Sequence, residues 1–295
     1  SFVNGTPQAW DVVTEHPANV PLLASETPQD GYTPSSWGGD CAPDGSITLL
    51  PGDTKVCSIT NDDAGGTLTL VKTVINDNGG LLTETDFPAF INGAPQAWGA
   101  AANVPTNTQH TVSETPQAGY APSVWGGDCA ADGTVTLLAG EAKTCTITND
   151  DIAPTLILVK TVTNDNGGDL TQSDFPSFVN GVPQAWDVAT ELEANVLLTA
   201  SETPQTGYTP SVWGGDCAED GTITLLPGDA KTCTITNDDV APLLTLIKDP
   251  TNDDGGNALP DDFNLTIGGN PALSGTAYTL AANTPYAISE KRRVG

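Results

Sequence analysis

TLTLVKTV, residues 67–74, returns as TLILVKTV at 155–162 and as LTLIK at 244–248. Thr and Val alternate with Leu, the pattern of a β-strand with one face buried. Side chains two apart share a face, so Lys72 points with Leu68, Leu70 and Val74, while Thr67, Thr69 and Thr73 point outward. Lys160 likewise shares the face of Leu156, Leu158 and Val162. Only nine residues of 295 are Lys or Arg, and two of them are thus expected inside β cores. A buried ammonium without a partner is costly. The sequence must supply a companion or remove the charge.

The period that carries this strand is long. SFVNGTPQAW begins at Ser1, AFINGAPQAW at Ala89 and SFVNGVPQAW at Ser177, a spacing of 88 residues. The same spacing relates Glu26, Glu114, Glu202 and Glu290. Solenoid units seldom exceed about 50 residues, whereas 88 suits a small β domain. Residues 67–154 and 155–242 read as complete modules. Residues 1–66 read as the back part of a preceding module and 243–295 as the front part of a following one, a window on a longer array. Short strands punctuated by Gly, Pro, Asn and Asp, with no helical periodicity, predict an all-β tandem array of immunoglobulin-like β-sandwiches, some seven strands each. The last two strands of a module are expected to form a hairpin around Ala139-Gly140-Glu141.

A net charge of -28 argues against nucleic acid and anionic membrane surfaces as partners. No apolar run approaches the roughly 20 residues of a membrane span. The six cysteines fall as Cys41/Cys57, Cys129/Cys145 and Cys217/Cys233, each pair 16 apart and one pair per repeat. This spacing predicts three disulfides and an oxidising, extracytoplasmic location. Zinc, the competing reading, wants four soft ligands close together. The two histidines, His16 and His110, are not at equivalent positions, and no nucleophile and base recur at catalytic spacing. The chain is not expected to be an enzyme.

The phase test finds companions for the lysine. Glu114 is in phase with Val112, and Glu202 with Leu198 and Ala200. Asn149 is in phase with Cys145 and Ile147, and Asn237 with Cys233 and Ile235. Each complete module therefore points one Lys, one Glu and one Asn inward. The three would meet if the first and last strands lay side by side in parallel. An ordinary buried salt bridge with a neighbouring amide would satisfy such a set.

In its order of first-strand Lys, SETPQDGY, SETPQAGY and SETPQTGY from Ser25, Ser113 and Ser201, and last-strand Asn in CTITND, the chain resembles the B-type repeats of Gram-positive collagen adhesins and related pilin domains, the SpaA-like prealbumin-like fold. The cysteine pair and the Trp-Gly-Gly-Asp segment depart from the best-known members. The resemblance implies an intramolecular isopeptide bond, formed when a neutral lysine attacks the asparagine carbonyl and ammonia leaves, with the glutamic acid moving protons. Burial disfavours both charged forms and so suits that chemistry. The implied sets are Lys72, Glu114, Asn149 and Lys160, Glu202, Asn237. Glu26 and Asn61 lack a lysine, and Lys248 and Glu290 lack an asparagine.

No cofactor is expected apart from calcium, which suits the oxygen-rich turns carrying Asp77, Asp150, Asp151, Asp165, Asp238 and Asp239. Solvated turns are the competing reading. Lys55, Lys143 and Lys231 read as edge lysines. Trp10, Trp98, Trp186, Trp37, Trp125 and Trp213 suit core packing better than a sugar platform. The functional expectation is a structural repeat segment of an extracellular bacterial fibre, stalk or surface filament, with neighbouring modules or further copies as partners. The alternative is a multivalent adhesin for a glycan or matrix protein.

Overall fold

The structure, a computed structural model, describes residues 1–291. It is all-β, with three 3-10 turns at Glu84–Asp86, Gln172–Asp174 and Pro260–Asp262 and no α-helix among the described residues. None is long and apolar enough to cross a membrane. The chain divides into two compact units, Ser1–Asp77 with Leu81–Asp151, and Asn78–Gly80 with the chain from Ile152 onward.

The strands between Gly66 and Asp151, all in the first unit, form a two-sheet sandwich. One sheet orders Ala101–Val104, Gly66–Ile75, Ala142–Asp151 and Tyr120–Pro122, with Gly126–Gly127 also paired to the last strand. The other orders Ala94–Gln96, Ala89–Ile91, Gln109–Glu114 and Thr134–Thr136. Leu68, Leu70, Ile91, Val112, Val135, Leu137 and Cys145 fill the space between them. The two ten-residue strands, first and last, run parallel from Thr67 opposite Ala142 to Ile75 opposite Asp150. A parallel pair needs a crossover, and here the whole second sheet serves as that crossover. The sequence periodicity is observed directly: Leu68, Leu70 and Lys72 are buried, and Val71 and Thr73 are exposed.

The expected hairpin at Ala139-Gly140-Glu141 is not formed. Thr134–Thr136 pairs with Gln109–Glu114 in one sheet, while Ala142–Asp151 belongs to the other. The turn is an arch between sheets, closed by Glu141 N donating to Leu138 O. Leu137, fully buried, fills the corner. The strand count also exceeds the expectation, because two- and three-residue strands flank the long pair.

In the second unit, residues 155–239 repeat this architecture, with Thr155–Thr163 parallel to Ala230–Asp239. Residues 1–63 build the corresponding four-stranded sheet but only short remnants of the other. Residues 243–291 form a two-stranded and a three-stranded sheet around Leu265, Ile267 and Ala272. Within the second unit, Asn166 O accepts from Ala282 N and Gly167 O from Asn283 Nδ2. A Cβ at Gly167 (φ +90°) would lie 2.4 Å from Ala282 O, so only glycine fits this contact.

Candidate functional site

In the sandwich of residues 66–151, the parallel register puts Lys72 opposite Ile147 and Val74 opposite Asn149. Lys72 and Asn149 therefore lie diagonally on the inner face of adjacent strands. Glu114, at the end of Gln109–Glu114, arrives from the facing sheet. Lys72 Nζ donates to Glu114 Oε2 at 2.5 Å, with the two side chains 0% and 6% exposed. Asn149 is buried, and neither of its amide atoms has a hydrogen-bond partner among the described residues; Glu114 Oε1 is in the same condition. An unpaired buried amide costs about 1–3 kcal/mol per group. Here three such polar atoms accompany one ion pair.

The second set has the same form. Lys160 Nζ donates to Glu202 Oε2, and Asn237 Oδ1 and Nδ2 and Glu202 Oε1 are buried with no hydrogen-bond partner among the described residues. Val162 opposes Asn237 as Val74 opposes Asn149. In each predicted set the Lys and Glu are in contact, and the Asn lies two residues along on the adjacent parallel strand.

Aromatic rings complete the enclosure. Lys72 Nζ lies 4.4 Å from the Phe87 ring centroid and 5.7 Å from that of Trp98, and Lys160 Nζ lies 4.5 Å from Phe175 and 5.8 Å from Trp186. Trp98 Nε1 donates to Phe87 O, as Trp186 Nε1 does to Phe175 O. Burial pulls each lysine below its ordinary value of 10.5, and it outweighs the upward pull of the hydrogen bond and charge of Glu114 or Glu202. Phe87 and Phe175 are fully buried and escaped the sequence reading, although Asp-Phe-Pro recurs at Asp86 and Asp174 with the period of the lysine.

The incomplete sets differ as expected from their missing strands. Asn61 Nδ2 donates to Glu26 Oε2 at 3.2 Å in an exposed setting. Lys248 pairs with Glu290 at 3.1 Å, with side chains 25% and 40% exposed.

The three disulfides are formed as paired in the sequence, and no described cysteine is free. His110 is a satisfied core residue, placed between Asn92 Nδ2 and Pro105 O. Lys55, Lys143 and Lys231 are partly exposed, and each pairs with a carboxylate, on Asp40, Glu141 and Asp216. The acidic turns do converge: Asp77, Asp150 and Asp151 offer oxygens within 4.8 Å of one another, as do Asp165, Asp238 and Asp239. Asp239 also accepts from the backbone N–H of Asn166 and Gly168, so its carboxylate fills a nest of loop donors. A Cβ at Gly168 would lie 2.3 Å from Tyr208 Oη, which is why that loop closes on glycine.

No curated protein matches the chain. Among solved structures, the Bacillus anthracis TIE protein aligns over 83% of this chain and 47% of its own, at 16% identity and a TM-score of 0.38. The chain therefore spans about half the length of that structure. The major pilin protein T-13 of Streptococcus pyogenes aligns over 60% of this chain and 98% of its own, at 11% identity and a TM-score of 0.27. Two B repeat units of the Staphylococcus aureus collagen binding protein align over 90% and 89%, at 13% identity and 0.22. A family model for the prealbumin-like fold domain matches residues 63–147 and again 151–235, more than half of the chain, so this protein belongs to the SpaA-type prealbumin-like fold domain family.

Proposed function

We propose that the chain is a load-bearing segment of an extracellular bacterial fibre, stalk or surface filament, whose complete modules are each locked by a Lys–Asn isopeptide bond. The observation that carries this reading is the buried asparagine with neither amide atom hydrogen-bonded, beside a buried lysine and glutamate, in both complete modules. A merely structural polar cluster would pair those atoms. A pair of reactants awaiting a bond would not.

The step balances without a co-reactant. Glu114 takes a proton from the Lys72 ammonium, and the neutral Nζ bonds to the Asn149 side-chain carbonyl carbon. Glu114 then gives its proton to the departing amide nitrogen and takes one from the attacking nitrogen. The carbon–Nδ2 bond breaks and ammonia leaves. An amine and a primary amide become a secondary amide and ammonia, with no change of oxidation state. Each module acts once on itself, which is maturation and not turnover. The buried charge disappears with the bond.

The disulfides and the family support placement outside the cytoplasm, where neighbouring modules or further copies are the natural partners. The adhesin alternative has less support, since the Trp98 and Trp186 indole N–H groups point inward to backbone carbonyls. Calcium at the converging aspartates would be an accessory to this function.

Intact mass after disulfide reduction tests the reading. The expected result is a deficit of two ammonia molecules, one for each complete module. A mass equal to the plain sequence overturns it.

A further inference from the structure

The disulfide and the lysine are joined by a short chain of contacts that repeats in both complete modules. The Trp-Gly-Gly-Asp-Cys loop lies along the last strand: Gly126 and Gly127 pair with Thr146 and Cys145, and the Asp128 carboxylate accepts from Thr144 N. A Cβ at Gly127 (φ +71°) would lie 2.4 Å from Thr144 O, so the loop can come this close only as glycine. Cys129–Cys145 fastens the end of the loop to the same strand. Trp125, at its start, stacks on Trp98 with ring centroids 6.4 Å apart. Trp98 in turn faces Lys72 Nζ and is tied to Phe87, the other ring over that nitrogen. Cys217–Cys233, Trp213, Trp186 and Lys160 repeat the series, with the same 6.4 Å stack.

Two parts of the same chain separate cause from effect. Residues 1–66 carry no lysine strand, yet Trp10 and Trp37 stack at 6.4 Å beside Cys41–Cys57. The stack therefore does not need the lysine to form. In residues 243–291, Ser274 stands where Trp98 and Trp186 stand, 88 residues on. There the Lys248 side chain is 25% exposed, against 0% for Lys72 and Lys160. That region also lacks a last strand, but the loss of the indole removes one wall of the lysine site in any case.

We propose that Trp98 and Trp125, and Trp186 and Trp213, are positioning residues for the lysine, forming a water-excluding stack held by the disulfide of the Trp-Gly-Gly-Asp-Cys loop, so that disulfide closure precedes amide transfer. This rests on the isopeptide reading and adds an order to it: oxidation first, ammonia release second. The chain would remain chemically unlocked in a reducing cytoplasm and lock after export.

The test uses the full chain produced under reducing conditions, then oxidised with oxidised glutathione and followed by intact mass. The wild type is expected to keep its full mass until the disulfides close and then to lose two ammonia molecules. With Cys129→Ala and Cys145→Ala together, the second module serves as internal control and only one ammonia should be lost at the wild-type rate. If the wild type never loses ammonia, the underlying reading fails. If the double variant loses both at the wild-type rate, or the reduced wild type is already two ammonia lighter, only the ordering fails.

Trp98→Ala guards against simple misfolding of a module without its disulfide. Wetting the lysine raises its pKa, and each unit removes about tenfold of the neutral amine. The first module should therefore react about tenfold more slowly near neutral pH, with its rate profile moved to higher pH, and Trp98→Phe should restore most of the rate. An unchanged rate and pH profile in Trp98→Ala overturns the proposal.

Discussion

Lys72 sits between two opposing pulls, desolvation by the core and attraction by Glu114, and desolvation prevails. A chain that cannot form the bond, such as Asn149→Ala, keeps that ammonium and should show the consequence in its pH dependence. Between the lowered folded value and 10.5 the unfolded chain holds the extra proton, so stability rises with pH across that window. Below the window both states are protonated and the burial penalty is complete. The denaturation midpoint of Asn149→Ala should therefore climb as pH is raised toward 10.5, whereas Asn149→Ala with Lys72→Met should lack that component. Parallel pH curves for the two would refute it. Glu114→Ala should both abolish one ammonia loss and destabilise its module by about 3–5 kcal/mol, because it strands a buried charge. The inward direction of Lys72, Glu114 and Asn149 was legible because strand alternation fixes the face of every residue once the apolar ones are known. That the Asn149 side-chain amide has no hydrogen-bond partner among the described residues was not legible, since hydrogen bonding depends on the distance between sheets. Phe87 and Trp98 were readable as recurrent, but nothing in their spacing revealed that both rings stand over the lysine.

At the scale of elements, the long first and last strands carry the site and the short strands set its far wall. Parallel pairing of the two long strands was the condition under which Lys72 could approach Asn149, and the register meets that condition. The arch at Leu137–Glu141 was not legible, because Ala-Gly-Glu suits a hairpin and an arch equally and only the burial of Leu137 distinguishes them. The ends of the long strands pose a different problem, since three carboxylates meet at each. Asp239 is partly compensated by the Asn166 and Gly168 N–H donors, but Asp165 and Asp238 are exposed and add like charge. Extracellular calcium sites bind at about 0.1–1 mM. Tenfold excess over the dissociation constant would add about 1.4 kcal/mol by mass action. Millimolar calcium should thus raise the melting temperature of the wild type, and Asp165→Asn with Asp238→Asn should remove the rise in that module. No response to calcium in the wild type would assign these turns to backbone geometry alone.

At the scale of the whole molecule, covalent bonds decide how force travels. If Lys72 is joined to Asn149 as proposed, tension entering at Thr67 would cross to the last strand within six residues and leave at Asp151. The 76 residues between Lys72 and Asn149 would then carry none of it. The parallel strands then need not resist shear through hydrogen bonds, because the bond bridges the same pair of strands. The repeated contact of the Asn166-Gly167 loop with Ala282 and Asn283 also recurs 88 residues earlier, from Asn78 and Gly79 to Ala194 and Asn195. The period thus extends to contacts as well as to sequence. In single-molecule pulling from its two ends, the oxidised wild type should show no unfolding step from either complete module. Lys72→Ala should add one step, in which an 88-residue module extends except for the 16 residues held by Cys129–Cys145. At about 3.4 Å per residue that step should approach about 240 Å, less the span of the folded module. Reduction of the disulfide should lengthen it by about 50 Å. Steps of that size in the unreduced wild type would mean that the first and last strands are not joined, and the chain would bear load only as far as its hydrogen bonds allow.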